Sequence, residues 1–210
     1  MADLASYRTV LKPGEDSFIE KKSRFIGHCI PITSEQQALD FIKEMKSRYW
    51  DASHNVYAYI LREGGIMRYS DDGEPQGTAG VPVLEAMRKQ GICDACVVVT
   101  RYFGGTLLGA GGLVRAYSHG SSIGIQAAVP VTMTMCEKLV LRCDYSYFTK
   151  AQSLTEGSGA EVDNISYDDA VNIEFHIVPE SLGKLKADIA DLTGGKALFT
   201  KLGEGFYGIK

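Results

Sequence analysis

A glycine-rich segment in the middle of the chain combines residue types that can bind a phosphate group. The segment follows a β-branched run, Ala95–Thr100, and contains Arg101, Tyr102, Phe103, Gly104, Gly105, Gly109, Gly111, Gly112 and Arg115. Glycines ahead of a helix leave backbone N–H groups exposed at the positive end of the helix dipole, where anions commonly bind. The two arginines add fixed positive charge. The same glycines would also permit a tight turn and close packing of helix on strand, so this alternative stays open.

An acidic loop is the second candidate site. It contains Ser70, Asp71, Asp72 and Glu74. Its carboxylates could bind a hard cation such as Mg²⁺ or act as a general base, and His54 and Asn55, at the mouth of a neighbouring strand, could join them. Alternatively, the loop is a solvated turn in which Asp71 or Asp72 caps backbone N–H groups. We favour a third interpretation, in which the loop orders Arg101 through ion pairs, and we expect no metal.

Motifs of several common enzyme classes are absent from the sequence. There is no G-x-x-x-x-G-K-[ST] phosphate loop, no G-x-S-x-G and no H-E-x-x-H, and residues 109–112 fall short of a dinucleotide fingerprint. We therefore expect no catalytic residue and no cofactor. Lys22 and Arg24 could contact phosphates, although charged residues along a strand edge are usually solvated.

The composition is that of an ordinary globular protein, with 45% hydrophobic and 23% charged residues. The N-terminus lacks the features of a signal peptide, and no apolar run approaches the roughly 20 residues of a membrane span, so we expect a cytoplasmic protein. Five cysteines, an odd number, suit reduced structural thiols.

The charge of the chain is unevenly distributed. Residues 1–129 hold 14 Lys and Arg against 14 Asp and Glu, so the net charge of −4 falls on residues 130–210. This distribution argues against a general polyanion-binding protein. Any contact with nucleic acid must therefore be local.

The hydrophobic periodicity places these residues in two domains. In residues 1–129 we expect a loose start over residues 1–16, followed by the order β-α-β-β-α-β-α with its first strand over residues 18–32. The glycine-rich segment then joins a strand buried on both faces to a long helix. In residues 130–210 we expect the order β-α-β-β-α-β, a split β-α-β of ferredoxin-like type.

Several long motifs resemble those of the YigZ/IMPACT family. They are KKSRFIGH, HNVYAY, SDDGEPQGTAGVPVLEAM and VVVTRYFGGTLLGAGGLVRAY, and they fall within residues 17–128. Residues 130–210 resemble the smaller C-terminal domain of bacterial YigZ-type members, mainly through the order of their elements. Val56 is a minor departure from the pattern, since a small or cysteine residue is expected there.

The resemblance implies an α+β protein. Its first domain would have the α/β fold of the second domain of ribosomal protein S5, and its second the ferredoxin-like βαββαβ fold of the last domain of elongation factor G. Eukaryotic IMPACT proteins act in translational control through protein partners, by a region that this chain does not show. For bacterial members, binding to nucleic acid or the ribosome is the usual proposal, and likeness of fold does not establish an activity.

Together, the residues and the resemblance favour a non-enzymatic, translation-associated factor that binds RNA or the ribosome through the glycine-rich, Arg-flanked cleft. Tyr102 and Phe103 would stack on an unpaired base. The expected phosphate contacts are Lys22, Arg24, Arg101 and Arg115. One alternative is a protein-interaction regulator of translation anchored by the same aromatic residues. The other is a small-molecule phosphate-binding enzyme whose metal is held by the acidic loop. We expect no membrane partner.

Overall fold

The computed structural model describes residues 6–208, which form two compact units. The first unit covers residues 7–132, and most of the second covers residues 133–208. None of the helices within residues 6–208 combines the length and the apolar character needed to cross a membrane.

The first unit consists of strands, helices and a short 3₁₀ turn at Glu63–Gly65. In chain order its elements are β1 (Ser6–Val10), β2 (Gly14–Glu20), β3 (Ser23–Pro31), α1 (Glu35–Arg48), β4 (His54–Leu61), β5 (Ile66–Ser70), α2 (Gly80–Lys89), β6 (Ala95–Tyr102) and α3 (Ala110–Ala127).

An antiparallel sheet in the order β2-β3-β6-β4-β5 forms the centre of this unit. Helices α2 and α3 pack on one face, whereas α1 packs on β4 and β6 from the other. Because β6 lies in the middle of the sheet with helices on both sides, its residues 95–101 are all buried. The prediction of a strand buried on both faces is therefore confirmed.

Side chains of β6 alternate between the two faces of the sheet. Val97 and Val99 belong to the core under α2 and α3, and Val98 belongs to the core under α1. By this alternation Arg101 lies on the α2–α3 face and Tyr102 on the α1 face. Two neighbouring residues of the sequence thus serve opposite sides of the sheet.

Small residues let α3 lie directly on β3. A Cβ atom added to Gly27 would stand 1.9 Å from the carbonyl oxygen of Gly120, and one added to Gly124 would stand 2.9 Å from the carbonyl carbon of Gly27. Backbone meets backbone at this contact, so any side chain there would force the helix away from the sheet. The close packing of helix on strand therefore involves Gly27, Gly120 and Gly124, whereas Gly105, Gly109 and Gly111 meet no strand.

Residues 6–31 differ from the expected loose start and single strand. They contain β1, β2 and β3, and the last two form a hairpin that turns at Lys21 and Lys22. Both lysines have positive φ, at 45° and 68°. Such a conformation is rare for residues with a Cβ atom. The turn also lacks the glycine or asparagine that normally indicates a hairpin turn in a sequence. The part of the expected loose start at residues 1–5 lies outside the described residues.

The second unit has the expected order β-α-β-β-α-β. Its elements are β7 (Pro130–Cys143), α4 (Phe148–Gly157, preceded by a 3₁₀ turn at Tyr145–Tyr147), β8 (Glu161–Tyr167), β9 (Val171–Ile177), α5 (Pro179–Thr193) and β10 (Leu198–Gly208). The strands pair antiparallel in the order β10-β7-β9-β8, which is the split β-α-β arrangement. Leu141, Phe175, Leu185 and Ile189 are in its core. The expectation of two α+β domains is confirmed.

The cysteines behave as packing residues. All five are free thiols, and Cys29, Cys96, Cys136 and Cys143 are buried while Cys93 is half-buried. Burial raises the pKa of the Cys29 and Cys96 thiols well above its usual range, which disfavours the reactive thiolate.

Candidate functional site

A cleft of about 490 Å³ lies in the first unit, where the glycine-rich segment meets the acidic loop. Its lining combines polar and apolar groups. The polar side chains are Ser53, His54, Glu74 and Arg101, and the apolar ones are Pro75, Phe103, Leu107, Leu108 and Leu113. Gly109 and Ala110, where α3 begins, also line it. The tertiary structure thus brings part of both predicted sites into one cleft.

Arg101 and Glu74 form a buried ion pair in the wall of this cleft. Nη1 of Arg101 lies 2.6 Å from Oε1 of Glu74, and the two residues are only 5% and 8% exposed. Nη2 of Arg101 lies 3.4 Å from Oγ of Ser23. The guanidinium also lies 5.5 Å from the ring centroid of Phe25 and 5.3 Å from that of Phe103. Arg101 is therefore not an exposed phosphate contact, because its charge is already compensated by Glu74.

One donor of Arg101 remains unused. Its Nε is buried and has no hydrogen-bond partner among the described residues. Leaving a buried donor without a partner costs about 1–3 kcal/mol, so such groups in native proteins often belong to functional sites.

Tyr117 and His54 complete the surroundings of Glu74. The hydroxyl of Tyr117 donates to Oε1 of Glu74 at 2.7 Å. Burial, and next the negative charge of Glu74, raise the pKa of the Tyr117 phenol, so it stays a protonated donor. Nδ1 of His54 donates to the backbone carbonyl of Asp72 at 2.8 Å, and Nε2 lies 3.8 Å from Oε1 of Glu74. One carboxylate oxygen thus holds together β6, α3 and the acidic loop.

The other carboxylates of the loop have separate structural partners. Asp71 accepts hydrogen bonds from the backbone N–H groups of Gly77, Ala79 and Gly80, and so caps the start of α2. Asp72 accepts from the backbone N–H of Asn55 at 2.6 Å and pairs with Lys46 at 2.5 Å.

Other polar residues in and beside the loop also have partners within the protein. Ser70 supports it by accepting the N–H of Asp72 at 3.1 Å, and the side chain of Asn55 bonds Thr100 and the carbonyl of Tyr49. Within residues 6–208, no three His, Cys, Asp or Glu side chains converge in a way that could hold a metal ion. The geometry is that of a capping turn that also orders Arg101.

The N-terminus of α3 is open to solvent. Its N-cap residue is Gly109, with φ of 72°, and no side chain accepts a hydrogen bond from the first turn. Gly109, Ala110 and Gly111 are exposed, and the first turn contains no acidic residue. In contrast, Ser34 caps α1 and Asp71 caps α2. The free N–H groups of α3 and its dipole favour an anion at this point.

Arg115 is an exposed cation close to that helix end. A Cβ atom on Gly111 would stand 3.7 Å from Nη1 of Arg115, so the guanidinium reaches back along the helix to its first turn. Arg115 is exposed, and no ion pair holds it among the described residues. An exposed guanidinium without an ion pair, beside free N–H groups, is the combination expected at a phosphate site.

The remaining predicted residues lie apart from this cleft. Arg24 pairs in register with Tyr102, and both lie on the α1 face of the sheet, opposite to Arg101. The hydroxyl of Tyr102 donates to Asp51 at 2.8 Å. Lys22 lies in the β2–β3 turn, where its carbonyl oxygen would stand 2.0 Å from a Cβ atom on Gly104. Gly105, with φ of 79°, continues the loop that this contact positions.

Sequence reasoning missed several groups of the site. Ser23 accepts the N–H of Gly104 at 3.2 Å, and Ser53 accepts the N–H of Phe103 at 3.0 Å, so two serines hold the start of the glycine-rich loop. Leu107, which was not predicted, is 82% exposed at the rim of the cleft, where the predicted Phe103 is 47% exposed. Tyr117 falls on the inward side of α3 by its spacing, which predicts burial but not its partner. No local signal in the sequence predicts the partners of the two serines.

Comparison with known proteins finds a matching family model for each unit. The model of the Impact N-terminal domain matches residues 21–124, and a model described as a domain of unknown function (DUF1949) matches residues 141–196. A solved structure described as that of a hypothetical protein superposes with a TM-score of 0.59 at 28% sequence identity, covering 93% of this chain and 97% of the other.

The bacterial relatives align with most of the chain. IMPACT family member YvyE of Bacillus subtilis is 38% identical over 195 residues, which are 92% of this chain and 90% of the relative. IMPACT family member YigZ of Escherichia coli is 30% identical, over 83% of this chain and 87% of the relative. The IMPACT homolog of Dictyostelium discoideum is 37% identical, but over 49% of this chain and 30% of that protein. The chain is therefore a member of the IMPACT family.

Proposed function

We propose that this protein binds single-stranded RNA, and that the cleft at the start of α3 holds one unpaired nucleotide. The observation that carries the proposal is the open N-terminus of α3 beside the exposed Phe103, within one cleft of about 490 Å³. A phosphate and a base are the two parts of a nucleotide that these groups fit.

The phosphate would lie against the first turn of α3. The N–H groups of Ala110, Gly111 and Gly112 have no intrahelical acceptors, and the absence of a side-chain cap leaves them for a ligand. Arg115 would then close on the phosphate from the side of Gly111. Arg101 would contribute by holding Glu74 in the wall of the cleft, rather than as a free cation.

The base would pack on the apolar rim. Phe103 and Leu107 are exposed, and stacking of a base on an aromatic ring contributes about 1–3 kcal/mol. Such stacking tolerates any base, so we expect little sequence preference at this position. Residues 1–129 have no net charge, so they create no overall electrostatic attraction for RNA. Binding through a small number of local contacts agrees with this neutrality.

The test is a fluorescence-anisotropy titration with a short labelled single-stranded RNA at about 50 and about 200 mM salt. We expect affinity to fall with salt in the intact protein. Arg115→Ala should weaken binding and lower the slope of log K against log salt by about 0.7, the value for one phosphate contact on a single strand. Arg68→Ala, which removes an exposed arginine from edge strand β5 of the same unit, is the matched control and should leave both unchanged.

A second variant separates binding from folding. Gly111 is exposed, and its Cβ position meets nothing closer than Arg115, so Gly111→Asp should fold. The helix dipole would stabilise the new carboxylate, and the carboxylate would repel a phosphate from the same position. We expect stability to be kept and RNA binding to be lost. RNA binding that is insensitive to salt and to both variants would exclude the phosphate contact. No RNA binding at low salt would overturn the proposal and favour a protein partner on Phe103 and Leu107.

A further inference from the structure

An exposed tryptophan lies close to the cleft along the chain. Trp50, the single tryptophan of the sequence, is 82% exposed in the turn between α1 and β4. Tryptophan side chains are on average highly buried in folded proteins. An indole ring left in solvent presents a large, flat apolar surface to a partner. One exposed ring does not define a site, so the groups around it decide what it could bind.

Hydrogen bonds hold the turn of Trp50 against the end of β6. The hydroxyl of Tyr102 donates to Asp51 at 2.8 Å, and the backbone N–H of Phe103 donates to Oγ of Ser53 at 3.0 Å. Ser53 and Phe103 both line the cleft. The turn that carries Trp50 therefore also supplies part of the cleft wall.

Three cations without ion pairs lie at the same end of β6. Lys21, Lys22 and Arg24 are exposed, and none of them forms an ion pair within residues 6–208. Arg24 is the register partner of Tyr102 on the neighbouring strand β3. The carbonyl oxygen of Lys22 would stand 2.0 Å from a Cβ atom on Gly104, so the lysine turn touches the glycine-rich loop.

The lysine turn is held in an unfavourable backbone conformation. Lys21 and Lys22 have φ of 45° and 68°, where glycine or asparagine would cost less. Strained backbone of this kind concentrates at functional sites. The carboxylates of the same two turns are Glu20 and Asp51, and Asp51 already accepts the hydroxyl of Tyr102. The three cations therefore leave an excess of positive charge beside the exposed indole.

We propose that the RNA strand continues from the cleft over the end of β6, where its next base stacks on Trp50 and a phosphate contacts Lys22 and Arg24. This inference rests on the proposed function, because the first nucleotide is the one held at the start of α3. Proteins that bind single strands combine aromatic rings for the bases with positive charge for the backbone, and this surface has both. A protein partner matches it less well, because lysine is depleted in protein–protein interfaces.

The test uses the intrinsic fluorescence of the full chain, which reports on Trp50 alone because the sequence has no other tryptophan. The probe is an oligouridylate of about eight nucleotides, within the range of known single-strand sites. We expect the oligomer to quench the emission of Trp50. In an anisotropy titration with the labelled oligomer, Trp50→Ala should weaken binding about tenfold, and Trp50→Phe, which keeps a stacking ring, less than about threefold.

Two further variants test the location and the phosphate contact. Tyr167→Ala removes a 60% exposed aromatic ring from the second unit and should leave the affinity unchanged. Lys22→Gly removes the charge and suits the positive φ of this position, so the protein should fold. This variant should lower the slope of log K against log salt by about 0.7.

The outcomes separate this inference from the proposed function. Oligomer binding that depends on Arg115, without quenching of Trp50 and with unchanged affinity in Trp50→Ala, would overturn the inference and leave the proposed function intact. An unchanged salt slope in Lys22→Gly would overturn the phosphate contact at the lysine turn. Absence of oligomer binding at about 50 mM salt would overturn both proposals.

Discussion

Glu74 receives Arg101 and Tyr117 on the same carboxylate oxygen, at 2.6 and 2.7 Å, in a site where both charged side chains are almost fully buried. This single oxygen connects the acidic loop to the central strand and to α3. The charge of Arg101, which suggests a nucleic-acid contact in the sequence, is therefore used inside the protein. The exposed arginine near the start of α3 is Arg115, which has no ion pair among the described residues.

Glu74→Gln should destabilise the protein by about 3–5 kcal/mol, because it leaves the Arg101 guanidinium buried without a countercharge. The free energy of unfolding in urea measures this change. Arg88→Ala is the control, since Arg88 and Glu85 form a pair of the same 2.6 Å length that is 55% and 42% exposed. That exposed pair should contribute less than about 1 kcal/mol. Equal losses in the two variants would contradict a special role for burial.

Asp71→Ala should destabilise the start of α2 by about 1–2 kcal/mol, because three backbone N–H groups lose their acceptor. Hydrogen exchange of the amides of Gly77, Ala79 and Gly80 should speed up in the variant. The amides of α3 should keep their exchange rates, since Asp71 does not touch that helix end. Unchanged exchange at Ala79 and Gly80 would show that Asp71 is not the cap.

His28 should make stability depend on pH between about 4 and 6.5. Burial lowers its pKa in the folded protein to about 4 from the ordinary 6.5, and the opposing pull of Glu15 is weaker. In this window the unfolded chain binds a proton that the folded chain does not, so stability falls as pH falls from 6.5 and stays level above it. The shift corresponds to about 3 kcal/mol.

Urea unfolding of the intact protein and of His28→Phe at pH 7 and pH 4 measures this contribution. Carboxylates titrate in both proteins and cancel in the comparison. The intact protein should lose about 3 kcal/mol more than the variant on acidification. If both proteins lose the same amount, His28 is not the group responsible.

Gly27→Ala should be severely destabilising, because its methyl group would stand 1.9 Å from the carbonyl oxygen of Gly120 and neither backbone can move aside. Gly183→Ala in α5 offers the contrast. Nothing lies within 4 Å of its Cβ position, and alanine is favoured over glycine inside a helix by about 1 kcal/mol. Thermal unfolding should show a lower midpoint for the first variant and a higher one for the second. A tolerated alanine at position 27 would contradict the direct contact of α3 with β3.

Much of the fold follows from local patterns. The apolar spacing of Ala38, Phe41, Ile42 and Met45 predicts α1, and all four side chains are buried. The β-branched run at Ala95 predicts a central strand, and the order of elements predicts the split β-α-β unit. The β2–β3 hairpin was missed, because Lys21 and Lys22 make the turn at positive φ against their intrinsic preference.

The candidate site was only partly predictable from the sequence, because sequence patterns report on residues that are close along the chain. The glycine-rich start of α3 and the acidic loop are recognisable from residue types alone. Their meeting in one cleft depends on contacts between residues about 27 positions apart, such as Arg101 with Glu74. Ser23 and Tyr117 enter the site from other elements, and no spacing in the sequence connects them to it.

The sequence by itself determined most of the elements, the family and the residues able to bind an anion, because periodicity, caps and motifs act within a few neighbouring positions. Only the tertiary structure decided which of those residues share a face and which charges are already paired. Alternation along β6 sends Arg101 and Tyr102 to opposite sides of the sheet, and burial turns Arg101 from a surface cation into an internal partner of Glu74. Both outcomes depend on the groups that pack against each side chain in the folded protein. Those groups come from residues that are distant in the sequence.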